Sequence, residues 1–199
     1  FPLTPTQLSG IEGIFGMFFS YGPGITYQNG NGGRGGNAYP TYWDMQVTDD
    51  NAGKNHAYMQ TAEQFQTIKR MEEANLIIPI IGNFGGPKAV RAVGNWVREH
   101  GGTVTTFYTS NVEQYLFMQD DEAARFYRNV ATLPFDESST FIRSYTMGGR
   151  GGFGGQVALN LKQQSGRSMQ MISPIQEMLK AFEGGQILQY VRVIALSHQ

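Results

Sequence analysis

Three short stretches hold the residues whose types and spacing could do chemistry. The first is Ser110-Asn111-Val112-Glu113-Gln114-Tyr115, directly after a run rich in β-branched and aromatic residues. Glu113 stands three positions after Ser110, the spacing of a capping box in which hydroxyl and carboxylate each take up a backbone N–H of a helix start. The same residues also support a functional reading, with Asn111 and Glu113 as a polar pair that binds a hydroxyl or an amine. The second is Arg143, near the end of the apolar run Ser139–Tyr145. A guanidinium there requires an acidic or backbone partner, and Glu113, a ligand carboxylate or a purely structural ion pair would serve. The third is Gly82-Asn83-Phe84-Gly85-Gly86, a bend that could present backbone N–H groups to a phosphate or carboxylate at a helix N-terminus. It matches neither G-x-G-x-x-G nor the P-loop, and no Lys-Ser/Thr follows. Gly85 and Gly86 could equally serve close packing before Pro87. These stretches supply the candidate catalytic residues Glu113, Asn111 and Arg143 and the candidate cofactor-binding residues Gly82, Asn83 and Gly85.

Other chemistries find little support. The chain has no cysteine, which removes disulfides, thiol catalysis and thiolate metal sites and leaves the compartment undecided. His56, His100 and His198 are scattered without H-x-x-x-H spacing, and Asp49-Asp50-Asn51 has too few ligands for a calcium loop. No metal is expected. No G-x-S-x-G elbow occurs.

The elements that must position these residues can be read from periodicity. Thr4 and Pro5 open a helix whose Leu8, Ile11, Ile14, Phe15, Phe18 and Phe19 form one stripe, expected to pack in a core, and Gly22-Pro23-Gly24 stops it. Pro40–Thr48 reads as a short helix or turn, and Thr61 with Gln64 as a capping box for a helix to Asn75. Leu76-Ile77-Ile78-Pro79-Ile80-Ile81 reads as a strand covered on both faces, with Pro79 a local irregularity. After the glycine bend, Pro87 begins a helix with Val90, Val93 and Val97 on one face, ended by Gly101-Gly102. Thr103–Thr109 then reads as a strand, Asp120–Leu133 as a helix and Ser139–Tyr145 as a third strand. Ser173 and Pro174 are expected to open a helix to Phe182, and Ile187–Leu196 fits either strand or helix. Strands alternating with helices predict an α/β fold with an open, mostly parallel sheet of βαβ units, whose ligand edge follows Ile81 and Thr109.

The chain is long enough for one domain, or for the C-terminal portion of one, over 1–199. Its formal charge of -1 gives no electrostatic footprint for nucleic acid, and no apolar run approaches a membrane span. Glycine-rich runs at 29–38 and 148–155 read as surface loops, since two arginines, Arg34 and Arg150, are too few for RGG-type RNA binding. Phe1-Pro2-Leu3-Thr4 carries no targeting pattern, and Phe1 is expected to be an internal position.

Five segments carry a resemblance: PTYWDMQVTDDNAGKNHAYM, LIIPIIGNFGGPKAVRAVGNWVREHG, TVTTFYTSNVEQYLF, STFIRSY and PIQEMLKAFEGGQI. They resemble a family of largely uncharacterised bacterial proteins with an S-adenosylmethionine-dependent methyltransferase-like, Rossmann-like fold, from about Leu3 to Tyr190. SNVEQYLF is the most specific string. The resemblance implies that this chain is the C-terminal half of a class I methyltransferase-like fold, with the cofactor's main glycine motif in an N-terminal half. It implies S-adenosylmethionine as cofactor and an acceptor-side role for this half, or alternatively a non-catalytic scaffold acting in binding or assembly. Asn83, Asn111, Glu113 and Arg143 match the family's motifs by position, although Asn83 stands where an acidic residue often follows the strand. The expected partner is the N-terminal half or another chain covering the exposed sheet edge.

Overall fold

The computed structural model describes residues 3–26, 40–50, 52–146 and 168–198, and the chain divides into two compact units, Phe1–Pro79 and Ile80–Gln199. The glycine-rich runs at 29–38 and 148–155 lie outside the described residues.

The first unit consists of helices fixed at their N-termini by side chains. Helix α1 (Pro5–Tyr21) starts at Thr4, whose hydroxyl accepts the Gln7 N–H while the Gln7 side chain accepts the Thr4 N–H, and it ends at the 3-10 turn Gly22–Gly24. The same reciprocal cap, Thr41 with Asp44, opens α2 (Tyr42–Val47), and Thr61 with Gln64 opens α3 (Ala62–Glu73). These caps satisfy N–H groups that the helix itself leaves unpaired. No described residue of this unit is buried. The apolar stripe of α1, expected in a core, is therefore exposed, up to 84% at Phe19. A helical stripe becomes core only when another element encloses it, and no described neighbour within the unit does so.

The run 76–81 also departs from expectation. It forms no strand, and Leu76, Ile77, Ile78, Ile80 and Ile81 are exposed, Ile81 at 96%. A buried strand needs a hydrogen-bonded neighbour and covered faces. Neither is present among the described residues, and Pro79 removes one ladder donor.

The second unit contains α4 (Ala89–Glu99), β1 (Thr106–Ser110), α5 (Val112–Leu116), α6 (Glu122–Val130), β2 (Thr140–Thr146), β3 (Ser168–Pro174), α7 (Ile175–Glu183) and α8 (Tyr190–Ala195). The sheet order is β1-β2-β3. β1 runs parallel to β2, as a strand–helix–strand crossover requires, with Phe107 opposite Phe141. β3 runs antiparallel to β2, with Phe141 opposite Ser173 and Arg143 opposite Met171. The α/β class is as expected, but this three-stranded sheet is mixed rather than open and mostly parallel. The antiparallel strand was missed because Ser173 and Pro174 look like a helix start. Instead they finish β3, and Ser173 makes no cap for α7. Beyond β3, His198 exchanges both backbone hydrogen bonds with Ile172, at 2.7 and 2.8 Å.

Alternation along the strands turns Phe107 and Thr109, Phe141 and Arg143, and Met171 and Ser173 to one face. Helices α5–α8 bring Leu116, Phe126, Tyr127, Val130, Ile175, Met178, Val193 and Ile194 into the buried cluster with Phe141 and Met171. Phe126 sits edge-on to Phe107 with ring centroids 5.8 Å apart. Fully burying a side chain such as Phe126 or Phe141 stabilises by roughly 1.5–3 kcal/mol, so this face holds the unit together. The polar residues Thr109, Arg143 and Ser173 share it.

Candidate functional site

The approach of β1 to its helix departs from regular geometry. Its pairing with β2 shifts register between Tyr108 and Ser110, which leaves Thr109 as the extra residue of a bulge. Ser110 then adopts φ +50°, a left-handed conformation that is strained for a residue with a Cβ. The bend delivers the chain into α5 with Asn111 at the N-cap position and without a side-chain cap bond. The Ser110–Glu113 capping box that the spacing allows does not form. Glu113 points inward instead.

There Glu113, 1% exposed, meets Arg143, 0% exposed. The Arg143 Nε–H donates to one carboxylate oxygen at 2.5 Å, and Nη2 donates to the other at 3.2 Å. The carboxylate also accepts from the Thr109 hydroxyl at 3.0 Å and from the Tyr127 hydroxyl at 2.5 Å. Nη1 of Arg143 donates to the Ser173 hydroxyl, and the guanidinium lies 4.3 Å from the centroid of the Phe141 ring. Charge is thus carried into the core with both carboxylate oxygens and all three guanidinium nitrogens hydrogen-bonded, the condition under which a buried ion pair is tolerated. The fork of Arg143 matches the two carboxylate oxygens, which a lysine could not do.

The electrostatics follow this enclosure. Burial, reinforced by the Glu113 charge, holds the Tyr127 hydroxyl well above its ordinary pKa, so it stays a hydrogen-bond donor. Burial opposes the charge of Arg143, but Glu113 and then Tyr127 outweigh it and raise its pKa. Burial and the charge of Glu113 also raise Tyr190. Its hydroxyl is buried and has no hydrogen-bond partner among the described residues.

The glycine bend is a separate place. The Asn83 side chain accepts the Gly85 N–H at 3.0 Å and donates weakly to Glu122 at 3.4 Å, while the Asn83 carbonyl accepts the Gly86 N–H at 3.1 Å. Both amides are therefore used within the bend. The glycines have packing reasons: a Cβ on Gly82 would lie 2.2 Å from the Ala89 side chain, and one on Gly85 would lie 2.0 Å from a Glu122 carboxylate oxygen. An apolar cavity of about 280 Å³ opens beside Gly82, Asn83 and Phe84, with Val90, Thr106 and Phe107 among its other walls.

Of the residues singled out from the sequence, Glu113 and Arg143 are joined directly. Asn111 is half-buried at the mouth of α5, and Gly82, Asn83 and Gly85 share the bend with no hydrogen bond to the Glu113 cluster. Sequence reasoning missed Thr109, Tyr127, Ser173 and Tyr190. From sequence, Tyr127 is one more position of the Asp120–Leu133 helix and Ser173 is a cap. The available signal was Arg143 itself, two positions from Phe141 on an apolar strand. No group of three or more metal-ligating side chains occurs among the described residues.

Residues 34–184 match the model of a domain family of unknown function, DUF7790. The chain belongs to this family. The DUF7790 match takes in Gly82, Asn83, Gly85, Asn111, Glu113 and Arg143, whereas Tyr190 and α8 lie beyond it. No curated protein matches the chain.

Proposed function

We propose that this chain is a non-catalytic α/β scaffold, methyltransferase-like in the order of its bend, helix and parallel strands, that acts by binding or assembly. The observation that carries this reading is the closure of the Glu113–Arg143 pair. A general base or an acceptor-binding carboxylate has to reach its ligand, and this carboxylate is 1% exposed with both oxygens hydrogen-bonded inside the protein. The pair serves as an internal strut between β1, α5, α6 and β2. The partner surface is the edge of β1, which pairs with no further strand among the described residues and which an additional strand or chain would cover.

A second reading keeps S-adenosylmethionine as ligand, with Gly82, Asn83 and Gly85 on the cofactor side and Asn111, Glu113 and Arg143 on the acceptor side. It is favoured by the cavity of about 280 Å³ beside Gly82 and Asn83. Calorimetric titration with millimolar S-adenosylmethionine separates the two. The scaffold reading expects no saturable heat. Saturable binding that weakens in Asn83→Ala would replace it with the methyltransferase reading.

A further inference from the structure

Beside the glycine bend lies a second cavity of about 460 Å³, whose lining includes Asn83, Arg91, Glu122, Arg125, Arg128 and Asn129. We propose that it binds a doubly charged phosphate group of a small molecule, held by Arg91, Arg125 and Arg128. This goes beyond the scaffold role, because it uses none of the Glu113 cluster and none of the β1 edge.

Three guanidiniums line this cavity against a single carboxylate, Glu122, in a chain whose formal net charge is -1. The positive excess is therefore local. Glu122 is held by Arg125 at 2.5 Å, and Asp121, outside the lining, pairs with Arg128 at 3.5 Å. Side chains in the Asp121–Arg128 pair are 54% and 57% exposed, so it is a solvent-screened contact that an anion can exchange at little cost.

Arg91 is different, because it is positioned from below. Its Nε–H donates at 2.8 Å to the Asn129 side chain, and Asn129 is only 2% exposed. The amide of Asn129 donates in turn to the Phe84 and Gly86 carbonyls, at 2.9 and 2.8 Å. One buried amide thus fixes both the bend and the root of a guanidinium whose two terminal nitrogens have no hydrogen-bond partner among the described residues. A fork held in this way recognises planar pairs of oxyanion acceptors with less ordering cost than a free arginine. The amides of Gly85 and Gly86 are consumed by Asn83, so the grip on the anion is made by guanidiniums rather than by these glycines. The volume exceeds what a bare phosphate needs and falls within the roughly 300–1,000 Å³ of small-molecule sites.

The test is a titration of inorganic phosphate, pyrophosphate and citrate into the uniformly nitrogen-15-labelled protein at low salt, followed by backbone amide and arginine Nε–H resonances. The expected result is saturable shifts confined to the bend, Arg91, Arg125 and Arg128, with pyrophosphate the tightest of the three. Arg91→Gln should weaken pyrophosphate about tenfold, and Arg91→Lys, which keeps the charge and loses the fork, about threefold. Arg98→Gln, on the same helix but outside the cavity, should leave it unchanged. Melting curves of all three variants verify folding; each should keep a cooperative transition, lower in the Arg91 variants because the buried Asn129 carboxamide loses the Arg91 Nε–H donor. Equal weakening by Arg98→Gln, shifts spread over basic residues generally, or citrate binding tighter than pyrophosphate would overturn the proposal.

Discussion

Arg143 and Glu113 bring opposite charges into a region built from Phe126, Phe141, Met171 and Val130, and the hydroxyls around them decide whether that is sustainable. Tyr127 is the most exacting of these, because its donor faces a buried carboxylate. Tyr127→Phe keeps the ring stacked on Phe182 and removes one donor, so it should cost roughly 1–3 kcal/mol in urea denaturation. The phenols also set an alkaline limit. Tyr127 and Tyr190 have folded pKa values raised above the unfolded value of about 10, so their contribution is complete below that pH and is lost as pH rises through the folded values. Stability should therefore fall above about pH 10, with tyrosinate absorbance appearing at these two positions only as the protein unfolds. Tyrosinate titration of all tyrosines below the unfolding transition would contradict the enclosure.

At the scale of elements, the sheet depends on a bulge and on close helix contacts. Gly94 of α4 is buried, and a Cβ there would lie 3.0 Å from the Leu133 side chain and 3.4 Å from the Leu133 backbone. Gly94→Val should therefore cost about 1–3 kcal/mol by overpacking, measured as a lower urea midpoint at unchanged slope. Much of this layer was legible from local signals: caps at Thr4 and Thr61, the glycine bend, the parallel strands and the valine face of α4. The elements misread were those whose state depends on distant neighbours. Leu76–Ile81 has the composition of a buried strand, yet composition cannot supply the paired edge that makes one. Ser173-Pro174 has the local chemistry of a helix start, but pairing with Phe141 and the bond from Arg143 claim it for β3. At the site, the partnership of Glu113 with Arg143 was open from residue type. The inward turn of Glu113 was not, because it follows from Ser110 adopting φ +50° after the bulge.

For the whole molecule, large apolar side chains are exposed in both units. Phe15, Phe19, Leu76, Ile81 and Leu188 are all more than two-thirds exposed. Exposed large apolar side chains mark interaction surfaces or association hazards, so the purified chain should bind a hydrophobic dye and self-associate with concentration in sedimentation velocity. Ile77→Lys with Ile81→Lys should reduce both without lowering the melting temperature, since both positions are exposed. The scaffold reading rests finally on the Glu113–Arg143 pair being an internal strut. A double-mutant cycle with Glu113→Gln and Arg143→Met, followed by urea denaturation, measures that directly. Each single variant should lose roughly 3–5 kcal/mol by stranding the other group, with a coupling energy of at least about 2 kcal/mol. Single losses under about 1 kcal/mol, with coupling near zero, would mean a solvated pair free to meet a ligand, and would contradict the account.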